Sequence, residues 1–127
     1  MDVAAHWHAY EWVGHERPAD STRRDPSQPV PPLDIADWLR KPSRFVAETF
    51  HNPDDVPAAS AWMRKGGEEH VAVTDESFSL DAQMRYVDDC LARGADVVWG
   101  YYSVNTRYVS RALVACPREG HRCPYGT

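Results

Sequence analysis

Residues 97–116 read VVWGYYSVNTRYVSRALVAC, and this stretch decides the fold. Valines and aromatics fill 97–104 and 108–116, the residue types that pack best on a pleated, half-buried surface. The polar Asn105-Thr106-Arg107 between the two runs is short enough for a hairpin connection, and a hairpin forces at least one antiparallel pair. Immediately upstream, Leu80, Met84, Val87 and Leu91 recur at spacings of four, three and four, which places them on one stripe of a helix. Ser79 is suited to cap that helix and Gly94 to end it, so a helix over 79–93 is expected, with its stripe on the sheet.

Working outward, EHVAVT at 69–74 predicts a short strand by its valines and alternation. Asn52-Pro53-Asp54-Asp55 supplies a cap, an early proline and acids for the positive end of a helix dipole, so a helix is expected to run to about Lys65 and to stop at Gly66-Gly67. RFVAETF at 44–50 reads as a strand, and Asp34 as the cap of a short helix through Arg40, ended by Pro42. Between 14 and 32 the chain reads GHERPADSTRRDPSQPVPP, where five prolines remove amide donors and predict a long irregular loop. At 6–13, HWHAYEWV alternates as a strand, with His6, His8, Tyr10 and Trp12 on one face and Trp7, Ala9, Glu11 and Val13 on the other. The tail at 117–127, PREGHRCPYGT, is turn-forming and poor in apolar residues, and is expected at the surface unless something ties it down. Together these elements predict an α+β fold: a mixed, mostly antiparallel sheet, two to three helices packed on one face, a closing hairpin and a turn-rich C-terminal tail.

A length of 127 residues suits a single domain over 1–127. With 43% hydrophobic residues, five Trp, six Tyr and three Phe, the chain can fill a sizeable core, which excludes collagen-like and wholly disordered classes. No run approaches the ~18 consecutive apolar residues of a membrane span, and the opening MDVAAHWHAYEW lacks the basic start and apolar stretch of a secretory signal. A soluble, cytoplasmic protein without a membrane partner is the expectation. Its net charge of −5 argues against nucleic acid as a partner, and three cysteines are too few for a disulfide framework and compatible with a reducing compartment.

Chemistry-bearing residues fall into two groups. His6 and His8, alternate residues on a strand, point the same way and can present two imidazoles to one metal. Cys116, His121 and Cys123 offer thiolate and imidazole ligands, the set zinc prefers, within eight residues of a turn-rich segment. They lack a fourth ligand, which His6, His8 or His15 could supply only if the tail returned to the first strand. Without metal, Cys116 and Cys123 are free thiols or a disulfide pair. A strand-borne histidine pair with an accessible helical tyrosine is also used by metal-dependent nucleases that attach a tyrosine to a DNA 5′ phosphate. His6, His8 and Tyr86 have that form, but only two lysines leave no basic track for a strand. Cys90 sits at the edge of the helix stripe and reads as core.

The terminal hairpin gathers aromatic and basic side chains. Tyr102, Arg107, Tyr108 and Arg111 are candidate binding residues, because tyrosine and arginine anchor interfaces, and Tyr102 and Arg111 are expected outside the core. No complete catalytic set appears. The leading expectation is therefore a non-catalytic binding or regulatory domain acting through a protein partner, with no cofactor or with zinc. The alternatives are a small metal-dependent enzyme using His6 and His8, with a third ligand from His15, His51 or His121, and a domain stapled by zinc through Cys116, His121 and Cys123.

Overall fold

A computed structural model describes residues 4–72 and 79–125. Strands β1 (His6–Gly14), β2 (Glu48–His51), β3 (Val97–Tyr102) and β4 (Tyr108–Cys116) form one sheet in the order β2-β1-β4-β3. Helices α1 (Asp20–Arg23), α2 (Val56–Glu69) and α3 (Leu80–Ala92) connect them, with 3₁₀ turns at Ile35–Arg40 and Ser43–Phe45. The α+β class agrees with the sequence reading, and the β3–β4 hairpin forms as expected. The sheet is antiparallel throughout rather than mixed.

The decisive pairing is between β1 and β4, which run alongside each other from His6↔Cys116 to Gly14↔Tyr108. β4 is buried at every position after Tyr108, so both of its faces need cover. One face receives α2 and α3: Trp7, Ala9, Val97, Trp99 and Leu113 pack with Met63, Met84, Val87 and Leu91. The other receives the 3₁₀ turn, where Tyr10, Ala112 and Val114 pack with Trp38 and Leu39. Both long helices thus pack on one face, as expected, and the short 3₁₀ turn covers the other.

α3 carries the predicted stripe, and the Ser79 hydroxyl accepts from the Ala82 amide at 3.4 Å. Asp34 caps its turn as read, its Oδ1 accepting from the Ala36 amide at 3.1 Å. Gly66-Gly67 does not stop α2, which continues through both to Glu69. The two glycines serve packing instead. A Cβ on Gly66 would collide with the Arg111 guanidinium, and one on Gly67 would lie 2.6 Å from Leu80 and 3.3 Å from Trp99. Strand at 44–50 is limited to its last residues, because Ser43–Phe45 closes a turn first. Of the predicted strand at 69–74, Glu69 belongs to α2, Ala72 makes one bridge to Ser103, and 73–74 lie outside the described residues.

The proline-rich excursion is held against the second face by side chains. Arg23 donates to the Pro31 and Pro32 carbonyls at 2.9 Å each. Lys41 is 3% exposed, and its ammonium donates to the carbonyls of Asp25 at 3.1 Å and Gln28 at 2.7 Å.

Candidate metal centre

Strand register assembles three of the site's residues. Because His6 stands opposite Cys116, and His8 is two residues further along β1, all three project from the same sheet face. β2 adds His51 beside His6 and Thr49 beside His8. The tail then brings Cys123 over this group, 115 residues after His8 in the chain. It is tied down by Arg118, which pairs with Asp96 at 2.5 Å, and by Tyr125, whose ring sits 5.5 Å from that of His8. The expected surface tail is therefore anchored, and Cys123 is buried.

One ligand atom each from His6, His8, Cys116 and Cys123 lies within 4.8 Å of the other three, so the group could hold a metal ion. The two histidine Nε2 atoms are 3.2 Å apart, and the Cys123 sulfur is 3.8 Å from His6 Nε2 and 3.4 Å from His8 Nε2. A tetrahedral zinc with its usual Zn–N and Zn–S bonds has edges of roughly 3.3 Å between nitrogens and roughly 3.6 Å between nitrogen and sulfur. The three separations among His6, His8 and Cys123 are close to those edges, while the whole group with Cys116 spans up to 4.8 Å.

Protonation follows the same pattern. Burial, with His6 and His51 nearby, pushes His8 down to about 4, and burial followed by His51 lowers His6 as well. At neutral pH both rings therefore carry no charge and offer a lone pair, the form a metal ion binds. His8 Nδ1 lies 2.9 Å from the Thr49 hydroxyl. With Nδ1 donating to that oxygen, Nε2 is free to face the group, the usual outer-shell arrangement of a ligating histidine. Burial pushes the Cys116 thiol up to about 12, and the neighbouring Cys123 adds to it. A divalent cation supplies the opposing charge that turns such thiols into thiolates.

Tyr10, next on this face after His8, is fully buried, and its hydroxyl has no hydrogen-bond partner. Leaving such a group unpaired costs about 1–3 kcal/mol. Burial raises its pKa above the ordinary tyrosine value, with smaller contributions from Tyr125, Cys116 and Cys123.

The remaining predicted residues lie elsewhere. His121 does not join the group: its Nε2 stands 3.5 Å from Asp37 Oδ1, because the turn bridging Arg118 and His121 sends its ring toward the 3₁₀ turn while Cys123 goes inward. His15 follows the far end of β1, and His51 Nε2 and Nδ1 are not among the convergent atoms although its ring centroid is 5.8 Å from that of His6. Tyr86 is exposed on α3, across the sheet from both histidines, so the nuclease-like arrangement does not assemble. Cys90 is core, as read.

Of the hairpin residues, Tyr102 and Arg107 are exposed and Tyr108 is half-buried. Arg111 is 4% exposed, contrary to its expected place outside the core. It pairs with Glu11, donates to the Trp62 carbonyl at 2.5 Å and lies 3.6 Å from the Trp62 ring centroid. These partners are what permit burial of its charge. No helix among the described residues is long and apolar enough to cross a membrane. Comparison with protein-family models, curated proteins and solved structures finds no match to this chain.

Proposed function

We propose that this chain is a small metal-stapled domain in which His6, His8, Cys116 and Cys123 hold one tetrahedral ion, zinc by preference, and thereby lock the C-terminal tail onto β1. The observation that carries the reading is the convergence of two imidazole nitrogens and two sulfurs within 4.8 Å. Two nitrogens and two sulfurs are a donor set zinc favours, and four protein ligands leave no open position for water activation. The ion's role in this reading is therefore structural. The zinc-stapled alternative keeps Cys116, Cys123 and one β1 histidine as read, and the second β1 histidine takes the place of His121.

A protein partner is the second reading, favoured by apolar side chains left exposed beside the edge strand: Val98, Tyr102 and Val104, each at least 44% exposed.

Metal content of untagged protein tests the first reading. One zinc per chain is expected in the wild type and in His121→Ala, and none in Cys123→Ser or in His8→Ala. Metal-free wild type, or loss of zinc in His121→Ala alone, overturns it.

A further inference from the structure

Resting on the metal reading above, we infer that Cys116 and Cys123 form a disulfide by exchange with a small-molecule disulfide of the glutathione class, and that this oxidation and metal capture exclude one another at the same pair. The two sulfurs belong to the group whose ligand atoms all lie within 4.8 Å of one another, so a movement of a few ångströms brings them to the roughly 2 Å of a sulfur–sulfur bond. Cys123 lies outside every strand and helix and can make that movement without breaking the sheet. It also lines a cavity of about 640 Å³ between the 3₁₀ turn and the tail, at which Arg40, Ser43 and Arg122 are exposed. A small disulfide thus has a route from solvent to one sulfur of the pair, while Cys116 is 1% exposed and does not line that cavity. The third thiol is kept apart. Cys90 packs on the helix side with Trp7 and Ala115, whose neighbours His6 and Cys116 project from the opposite face.

In the metal-free chain, Cys123 Sγ attacks one sulfur of the small disulfide, whose sulfur–sulfur bond breaks. The departing small thiol carries the proton that Cys123 gives up, and a mixed disulfide remains on Cys123. Cys116 Sγ then attacks Cys123 Sγ, the mixed bond breaks, and the second small thiol leaves with the proton of Cys116. Two protein thiols are oxidised and one small disulfide is reduced to two thiols. An ion held by both sulfurs occupies the electron pairs that the attack requires, so the ion must leave before exchange begins. Oxidation in turn removes two of the four ligands, and His6 and His8 alone do not complete a tetrahedral site. The tail stays tied in both states, by the ion in one and by the disulfide in the other.

Exposure of the full folded chain to oxidised glutathione, with and without zinc, followed by alkylation and peptide mapping, tests this. In chelated protein only Cys90 should remain alkylatable of the three free cysteines, alongside a cross-linked Cys116–Cys123 peptide. Zinc at a hundred times its dissociation constant leaves about one chain in a hundred metal-free, and should slow the cross-link about a hundredfold. Oxidised protein should take up no zinc until dithiothreitol restores its thiols. In Cys116→Ser the exchange stops after its first step, so one glutathione should stay on Cys123, whereas Cys116 in Cys123→Ser should carry none. Three alkylatable thiols after exposure, a cross-link that includes Cys90, or equal rates with and without zinc overturn the inference. Where a serine variant does not fold, the wild-type peptide map and its zinc dependence decide. A reduced wild type that takes up no zinc overturns the metal reading itself, a result distinct from a zinc-binding chain whose thiols stay reduced.

Discussion

On one side of the sheet, Trp7, Val97, Trp99 and Leu113 meet α2 and α3, whose backbone groups bond within each helix. On the other side, Tyr10, Ala112 and Val114 meet a 3₁₀ turn, a proline-rich excursion and the tail, segments with few ladder bonds of their own. Helical cover needs only matching apolar area, because its amides and carbonyls are already satisfied. Irregular cover must be tied by individual side chains, and here the ties are specific: Arg23 and Lys41 on the excursion, Asp34 on the turn, and the His–Cys group on the tail. Side-chain ties on the irregular side thus hold segments that lack regular backbone pairing of their own. The contrast predicts that helix-side changes act on global stability whatever the metal, while irregular-side changes act locally and through the metal.

The largest effect is expected at Arg111, a buried charge on the helix side. Its charge is buried against Glu11 and Trp62, under Gly66. Arg111→Ala removes one partner of a buried pair and opens a space beneath α2, which costs about 3–5 kcal/mol. Urea melts measure it, and a loss below about 1 kcal/mol shows the pair contributes little. Next comes Leu91→Ala, deleting a 2% exposed side chain from the α3 stripe at a cost of about 2–5 kcal/mol. Its loss should be equal with and without metal, and a metal-dependent loss breaks the proposed separation of the two faces.

Metal removal ranks third. An ion present at a hundred times its dissociation constant stabilises the folded chain by about 2.7 kcal/mol, the amount chelation should withdraw. Amide exchange should rise around Cys123 while α3 keeps its protection. Uniform acceleration across α3 would mean that the staple supports the whole domain rather than one face.

The legible parts of this fold were local. Leu80, Met84, Val87 and Leu91 announce α3 because their spacing lies within one helix, and Asp34 reads correctly because a cap acts over two residues. Alternation also sorted His6, His8 and Tyr10 onto one face of β1. What sequence could not show was the pairing of β1 with β4, which brings Glu11 to Arg111 across 100 positions and His6 to Cys116. Without Glu11 and Trp62 in view, an arginine reads as exposed. Without Arg111 and Leu80 in view, Gly66-Gly67 reads as a stop rather than as room for neighbours. The choice of Cys123 over His121 as ligand depends on a turn containing Gly120 at φ 81°, which decides which tail residue faces the sheet.

The smallest effect is expected at Tyr102, at the end of the edge strand and 46% exposed. It pairs across the hairpin with Tyr108, ring edge to ring face at 5.2 Å, and its hydroxyl accepts from the Arg17 amide at 3.1 Å. An exposed cross-strand pair contributes about 0.2–1 kcal/mol, so Tyr102→Ala should shift the urea midpoint slightly and leave metal content unchanged. The Arg17 contact gives this change a second, local readout. Arg17 lies near the start of the proline-rich excursion, and releasing its amide should speed tryptic cleavage after Arg23 or Arg24, since cleavage of a locally opened segment tracks the population of the open form. Faster cleavage after Arg23 or Arg24 with metal retained would mean that the excursion and the tail are tied to the irregular face independently. If metal is lost together with that contact, the two ties are coupled, and the face behaves as one cooperative unit.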